Sequence, residues 1–269
     1  MSLGQRIAFV GAGQMAEAFI GGLLKSGLCD RTQVRASDPS AARRSLMQQE
    51  YGIDAGVDNA AMASWADIIV LAVKPQICES VLAGLQSVLT RQLVISIAAG
   101  LRLGWICARV PEGVRVVRVM PNAPALVGAG MSAVAVAGSA TPADMDVALR
   151  LCRAVGRAES VEEDLLDAVT GLSGSGPAFV FAVLEAMADG GVKVGLPRQL
   201  ADRLAVLSAL GAATMALQCG TTSSGSFDAW EPSREPMRAG STVLREGAMS
   251  LIVAHAVEAA ARRSQELGG

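Results

Sequence analysis

The chain has 269 residues and a formal net charge of -2, and 51% of its residues are hydrophobic. That suffices for two domains with large cores, and so balanced a charge offers no basic surface to nucleic acid. Aromatic residues make up only 3%, which favours closely packed helices with small contact residues over a β-sandwich.

No uninterrupted apolar run reaches membrane-spanning length, and no basic-then-apolar leader precedes the first apolar segment. Neither a membrane partner nor a targeting segment is therefore expected. The five cysteines (Cys29, Cys78, Cys107, Cys152 and Cys219) are scattered and lack metal-ligand spacing. They read as reduced thiols of a cytoplasmic protein with no metal site.

The first element is a strand, Ile7-Ala8-Phe9-Val10, followed by Gly11-Ala12-Gly13-Gln14-Met15-Ala16. Four apolar residues fit a buried parallel strand, and Gly-x-Gly-x-x-Ala fits a tight turn into a helix. The glycines admit a pyrophosphate against the backbone, Ala16 lets helix and strand approach, and the helix start offers N–H groups and partial positive charge. The helix continues over 17–26 and Gly27 stops it. Val34 to Ser37 is a second strand, and Asp38-Pro39-Ser40 opens the next helix. Asp38 stands 25 residues after Gly13, where an acid commonly bonds the adenine ribose, and it also suits a helix N-cap. An acid there suits NAD, whereas Ser37, Arg43 and Arg44 would suit the 2′-phosphate of NADP.

Strands are expected over 67–73, 93–97, 114–119 and 131–137, and a helix over 143–155. Lys74-Pro75-Gln76, Ala98-Ala99-Gly100 and Met120-Pro121-Asn122-Ala123-Pro124-Ala125 follow the first three of these strands. Asn122 is the one side chain of the last loop with both donor and acceptor. Strands alternating with helices predict a parallel, doubly wound α/β sheet of the Rossmann type. Near residue 161 the pattern changes and no further strand is expected. Three long helices are predicted over 179–194, 199–218 and 239–267, apolar nearly all round. The expected division is a dinucleotide-binding domain over 1–161 and a helical domain over 162–269. The helical domain has more apolar surface than it can bury alone, which predicts a dimer interface.

With these segments in order, the chain resembles pyrroline-5-carboxylate reductase. The matching segments are Gly-Ala-Gly-Gln-Met-Ala (11–16), Val-Lys-Pro-Gln (73–76), Ser-Ile-Ala-Ala-Gly (96–100), Met-Pro-Asn-Ala-Pro-Ala (120–125), Thr-Gly-Leu-Ser-Gly-Ser-Gly-Pro-Ala (170–178), Asp-Gly-Gly-Val-Lys-Val-Gly-Leu-Pro-Arg (189–198), and Ala-Val-Glu-Ala-Ala through Arg-Ser-Gln-Glu-Leu (256–267). The resemblance implies reduction of the cyclic imine 1-pyrroline-5-carboxylate to L-proline with NADPH or NADH, NADPH being favoured. It implies a homodimer through the C-terminal helices, and larger rings of dimers. It places the cofactor phosphates at Gly11, Ala12, Gly13, Gln14, Met15 and Ala16, and the adenine ribose near Ser37 and Asp38. The nicotinamide side falls near Ala72, Val73, Lys74, Pro75, Ala98, Gly100 and Asn122. Substrate falls near Ser175 and Gly176, with Ser175 and Asn122 as catalytic candidates. Ser175 also suits a helix N-cap, with Pro177 and Ala178 opening the helix.

The sequence departs from the family in one loop. Where the family has Ser-Pro-Gly-Gly-Thr-Thr, whose N–H groups and hydroxyls take the substrate carboxylate, this chain has Pro232-Ser233-Arg234-Glu235-Pro236-Met237. Gly220-Thr221-Thr222 resembles a relocated fragment but fits a helix stop. Gln14 replaces an Asn of the family, and Ala123 a Thr. Two lost hydrogen bonds to a charged group, roughly 1.5–3 kcal/mol each, would weaken carboxylate binding by on the order of 10² to 10⁴. Arg234 could replace them as a bidentate partner, or stand as a solvated charge beside Glu231 or Glu235. Hydride transfer to a protonated imine asks little of side chains beyond positioning, and the one histidine, His255, lies on the last apolar helix away from every motif. The reading is a reductase of pyrroline-5-carboxylate. The alternatives are a paralogue acting on another imine or keto substrate, or a dinucleotide-binding dimer with impaired catalysis.

Overall fold

The computed structural model describes residues 2–219 and 235–268. The chain forms two compact units, one of Met1–Ser175 with Ala259–Gly269 and one of Gly176–Glu258. Among the described residues the first unit holds an eight-stranded sheet in the order β3-β2-β1-β4-β5-β6-β7-β8. The strands are β1 (Ile7–Val10), β2 (Val34–Ser37), β3 (Asp54–Gly56), β4 (Ile68–Leu71), β5 (Leu93–Ser96), β6 (Arg115–Met120), β7 (Gly130–Val136) and β8 (Gly156–Ser160). Between them run α1 (Gln14–Lys25), α2 (Ala41–Glu50), α3 (Asn59–Trp65), α4 (Pro75–Leu85), α5 (Leu103–Cys107) and α6 (Pro142–Arg153).

Strands β1, β4 and β5 are buried at every position. A parallel strand covered on both faces must be apolar on both, so these three read as continuous hydrophobic runs in the sequence. Successive side chains feed opposite layers. Ile7 and Phe9 join Phe19, Leu23 and Met47 on one face, whereas Ala8 and Val10 join Leu71, Leu82 and Ile106 on the other. Register aligns the strand ends, with Val10 opposite both Ser37 and Leu71, and Leu71 opposite Ser96. The loops leaving β1, β2, β4 and β5 therefore emerge together along one edge.

The sheet departs from the expected parallel pattern at one pair, since β6 and β7 run antiparallel. The residues between them, 121–129, form a short 3-10 segment at Ala123–Val127. That length cannot carry a crossover helix, so the chain turns straight back. Strands β3 and β8 were not expected from the sequence. One is the three-residue edge strand Asp-Ala-Gly, and the other, Gly-Arg-Ala-Glu-Ser, buries only Ala158 fully, so neither carries an apolar signal. Pro75 opens α4 at its first position.

After β8 the described residues hold helices only. A 3-10 turn at Glu163–Leu165 leads into α7 (Leu166–Val169), and a π turn follows at Thr170–Gly174. In the second unit α8 (Gly176–Lys193) and α9 (Arg198–Cys219) pack through Ala188, Ala201 and Ala205. Gly195 turns the chain between them with φ +105, and Arg198 pairs with Asp189 at 2.6 Å. The single helix expected over 239–267 is two, α10 (Glu235–Glu246) and α11 (Met249–Gly268). The break falls at Gly247-Ala248, where Ala248 has φ +54; Gly247 N–H still closes on Val243 O and Ala248 N–H on Arg245 O, a left-handed helix stop. The stretches Glu163–Lys193 and Arg198–Gln218 are long and apolar enough to cross a membrane by length and composition, although no unbroken apolar run is. Helices covered by another protein surface share that composition.

Candidate active site

The site is built on the carboxyl edge of the sheet, where strand order reverses beside β1. Gly11 leaves β1 with φ +96, and its N–H donates to Ser37 O at 2.8 Å. A Cβ on Gly11 would lie 2.6 Å from Ala72 O and 2.9 Å from Val73 Cγ1. Any side chain there fails on backbone conformation and on space, which lets the loops after β1 and β4 meet. Gly13 differs, because a Cβ there would meet nothing within 4 Å. It is the N-cap of α1, and the first helical hydrogen bond is Glu17 N–H to Gly13 O at 2.9 Å. The N–H groups of Gln14, Met15 and Ala16 precede that bond and have no acceptor within the helix. Ala16 is fully buried. An uncapped helix start beside an open glycine fits a pyrophosphate.

Asp38 is tied into this loop, its Oδ2 accepting from Ala12 N–H at 2.9 Å and its Oδ1 from Ser40 N–H at 2.8 Å. The N-cap of α2 is Ser40, so Asp38 forms a local turn ahead of the helix while its carboxylate stays at the β1 loop. Ser37 does not present its hydroxyl to a ligand. It is fully buried in β2, and the hydroxyl donates to Phe9 O at 3.4 Å. Its part in the loop is the carbonyl that receives Gly11. Arg43 donates to Ala12 O at 2.5 Å and pairs with Glu17 at 2.6 Å, and Tyr51 also donates to Glu17, at 3.1 Å. Arg44 donates to Asp38 O and Pro39 O at 2.8 and 2.9 Å.

From β4, Ala72 N–H donates to Val10 O at 2.8 Å, Lys74 is exposed, and Pro75 starts α4. From β5, Ala98 is buried with its N–H on Ser96 Oγ at 3.3 Å, and Gly100 turns the chain with φ +79. The structure thus brings Gly11 to Ala16, Asp38, Ala72 to Pro75, Ala98 and Gly100 to one edge of the sheet.

Asn122 lies at the end of β6, and its side chain has both ends committed. Its Oδ1 accepts from Met131 N–H at 2.8 Å, and its Nδ2 donates to Ser173 O at 3.1 Å and Ser173 Oγ at 3.3 Å. It clamps the π turn to the sheet. Ser175 ends that turn in a right-handed helical conformation, with both its N–H and its hydroxyl donating to Thr170 O, at 2.9 and 3.0 Å. It is therefore no extended N-cap, and its N–H is used within the turn. Gly176 opens α8. π turns recur at functional sites because the inserted residue re-aims its neighbours. The sequence shows the segment but not this geometry.

Arg234 lies outside the described residues, as do Gly220-Thr221-Thr222, Pro232 and Ser233. His255 is exposed on α11. Burial pushes the thiols of Cys29 and Cys78 up to about 11 and that of Cys152 to about 12, which keeps them protonated at neutral pH. Among the described residues no group of His, Cys, Asp and Glu has metal-binding geometry.

The fold and this edge define a nicotinamide dinucleotide-dependent oxidoreductase with an appended helical domain. Residues 6–100 match the family model described as NADP oxidoreductase, coenzyme F420-dependent, and residues 163–267 match that of pyrroline-5-carboxylate reductase dimerisation. A pyrroline-5-carboxylate reductase of Methanosarcina acetivorans is 44% identical over 98% of this chain and 98% of its own. One from Escherichia coli is 39% identical over 80% of this chain and 81% of its own. Among solved structures, a pyrroline-5-carboxylate reductase of Coxiella burnetii superposes with a TM-score of 0.92 at 31% identity, covering 98% of this chain and 99% of that one. The chain belongs to the pyrroline-5-carboxylate reductase family.

Proposed function

We infer that this chain reduces 1-pyrroline-5-carboxylate to L-proline with a nicotinamide dinucleotide. The observation that carries this is 44% identity to a pyrroline-5-carboxylate reductase across 98% of both chains. The cofactor supplies hydride; the chain's own residues bind and orient. Gly11, Ala12, Gly13, Gln14, Met15 and Ala16 hold the pyrophosphate with backbone N–H groups and the helix dipole. Asp38 stands at the ribose. Ala72, Val73, Lys74, Pro75, Ala98 and Gly100 border the nicotinamide side. Ser175 and Gly176 line the substrate side, with Asn122 fixing the turn that carries Ser175. A protonated cyclic imine is already electrophilic, so holding it against the hydride donor accounts for most of the acceleration.

NADPH is the preferred donor in this reading. Arg44 donates to Asp38 O and Arg43 to Ala12 O, which puts two cations at this loop, and a Plasmodium falciparum pyrroline carboxylate reductase, 28% identical with a TM-score of 0.89, is known with NADP bound. The helical domain over 162–269 pairs two copies through its apolar faces, as its match to a dimerisation model supports, in a cytoplasmic enzyme. A second reading, an altered imine or keto substrate, rests on one observation. The carboxylate-binding Gly-Gly-Thr-Thr of the family is Arg234-Glu235-Pro236-Met237 here. Loss of NADPH absorbance with 1-pyrroline-5-carboxylate tests the first reading, with turnover expected in the usual range of about 1–10³ per second. Intact NADPH binding without turnover would transfer support to the second, to be resolved with imines lacking the carboxylate.

A further inference from the structure

The last turns of α11 return to the first unit and end at the loop after β5. Ser264 Oγ donates to Asp167 Oδ1 at 2.6 Å across 97 residues of sequence, with the two residues 6% and 7% exposed. The other Asp167 oxygen lies 3.9 Å from Arg102 Nη2, two residues past Gly100. Gly100 itself faces the C-terminal segment, since a Cβ built on it would lie 3.5 Å from both Leu267 Cβ and Leu267 O. One residue beyond Arg102, Leu103 N–H donates to Glu163 Oε1 at 2.6 Å, and the buried Arg118 donates to the same oxygen at 3.0 Å. The loop over 97–103 is thus fixed by β5 at one end and by Glu163 and Asp167 at the other, with Leu267 against its middle. Asp167 also sits three residues before Thr170, where the π turn begins.

We propose that Asp167 and Ser264 are positioning residues that make the C-terminal turn of α11 part of the cofactor machinery, bracing the nicotinamide-side loop at Ala98–Gly100 without touching the cofactor. This rests on the assignment of that loop to the nicotinamide side. A buried carboxylate whose donor is removed keeps its desolvation cost, so losing the Ser264 hydroxyl loosens Asp167 and frees the loop before cofactor arrives. Binding must then order what was ordered already, and affinity falls.

The test compares Ser264→Ala, Ser264→Thr, which keeps the hydroxyl, and a chain truncated after Glu266, which leaves the buried pair intact but removes the Leu267 atoms that face Gly100. The readouts are NADPH titration by fluorescence, amide hydrogen exchange over 97–103, and the melting temperature. In Ser264→Ala the NADPH Kd is expected to rise about tenfold, a typical coupling between sites, with faster exchange over 97–103. Ser264→Thr should restore both, and the truncated chain should show a smaller change of the same kind. A lower melting temperature in Ser264→Ala with NADPH Kd and loop exchange unchanged would overturn the proposal, as would a threonine variant behaving like alanine. Should Ser264→Ala fail to fold, wild-type Kd and loop exchange in the truncated chain would overturn it too. Absence of pyrroline-5-carboxylate turnover in the wild type, with NADPH still bound, would remove the substrate assignment and leave this inference standing.

Discussion

The two units of this chain close their cores to different degrees. The first encloses Phe9, Ile7, Ile20, Leu23, Met47 and many others completely, in two layers about one sheet. The second, among its described residues, buries three alanines between α8 and α9 and leaves Phe181 69% and Leu210 61% exposed. A unit whose largest apolar side chains face outward cannot offset its own ordering entropy. The first unit is thus a self-sufficient scaffold, and the second is half of something, as a match to a dimerisation model implies. The chemistry divides likewise. Dinucleotide chemistry sits on the scaffold, and the segment that departs from the family lies in the half-built part.

The largest expected effect tests that departure. Replacing Arg234-Glu235-Pro236-Met237 with Gly-Gly-Thr-Thr restores the family's carboxylate loop. If two charged hydrogen bonds are missing, kcat/KM for 1-pyrroline-5-carboxylate should rise by about 10² to 10⁴. An unchanged or lower value would mean that Arg234 already serves the carboxylate, or that the substrate has no carboxylate at that place.

Next comes the scaffold itself. Gly11→Ala sets a methyl 2.6 Å from Ala72 O at φ +96. Backbone strain of about 1–3 kcal/mol adds to the clash, so NADPH affinity should fall by more than about tenfold and the protein should melt lower. Isothermal titration beside thermal melts separates the two losses. Near-normal NADPH binding would remove Gly11 from the cofactor cradle.

A third variant probes the half-built unit. Leu210→Glu exchanges an exposed side chain of the isolated chain, where such changes usually stay within about 0.5 kcal/mol. At the centre of a helical dimer interface the same change costs about 2 kcal/mol or more. Sedimentation should therefore show dimers of the wild type dissociating in the variant. A variant that stays dimeric would put the interface on another face.

How far the sequence reveals all this follows from where each signal comes from. Strands β1, β4 and β5 are legible because burial on both faces demands unbroken apolar runs. Strands β3 and β8 are not, because pairing with one neighbour lets Asp-Ala-Gly and Gly-Arg-Ala-Glu-Ser into the sheet chiefly by backbone hydrogen bonds, with one alanine of each in the core. The glycines of the loop after β1 are legible as a pattern, and the structure separates their reasons. Gly11 is required by conformation and crowding, whereas Gly13 stands beside open space. Ser37 and Asn122 show the limit. A polar residue beside a motif looks available in one dimension, yet the Ser37 hydroxyl is spent on Phe9 and the Asn122 amide on Met131 and Ser173. Only the long-range pairing reveals which polar groups remain for a ligand. The same holds for Asp167 and Ser264, which meet across 97 residues with no local cue.

The clamp at Asn122 yields the fourth variant. Asn122→Ala strands the Met131 N–H and both Ser173 acceptors. Leaving these part-buried polar groups unpaired costs at most about 1–3 kcal/mol, and the π turn carrying Ser175 loses its tie to β6. kcat should fall with NADPH Kd nearly unchanged, since the dinucleotide cradle is built from other loops. A rise in NADPH Kd with kcat preserved would instead place Asn122 on the cofactor.

The smallest expected effect lies at the opposite edge of the same sheet, away from every cofactor loop. Asp67 precedes β4 and accepts Arg6 N–H at 2.8 Å and Arg6 Nη2 at 3.2 Å. The side-chain hydrogen bond from Arg6 is the main cause holding the Asp67 carboxyl below its ordinary value of 3.8. A carboxylate with a depressed folded pKa stabilises the fold above its unfolded pKa. That contribution disappears as pH falls through the lower folded value. Both side chains are about half in solvent, 50% and 42% exposed, so the contribution is screened and shrinks further in high salt. Asp67→Asn should therefore melt slightly below wild type at pH 7, with the gap closing as the pH drops below about 3, beneath the ordinary carboxyl value. NADPH affinity should not change. A measurable loss of NADPH binding would mean that strain at the amino edge reaches the carboxyl edge through β1 and β4. The separation between a scaffold that stabilises and loops that bind would then no longer hold.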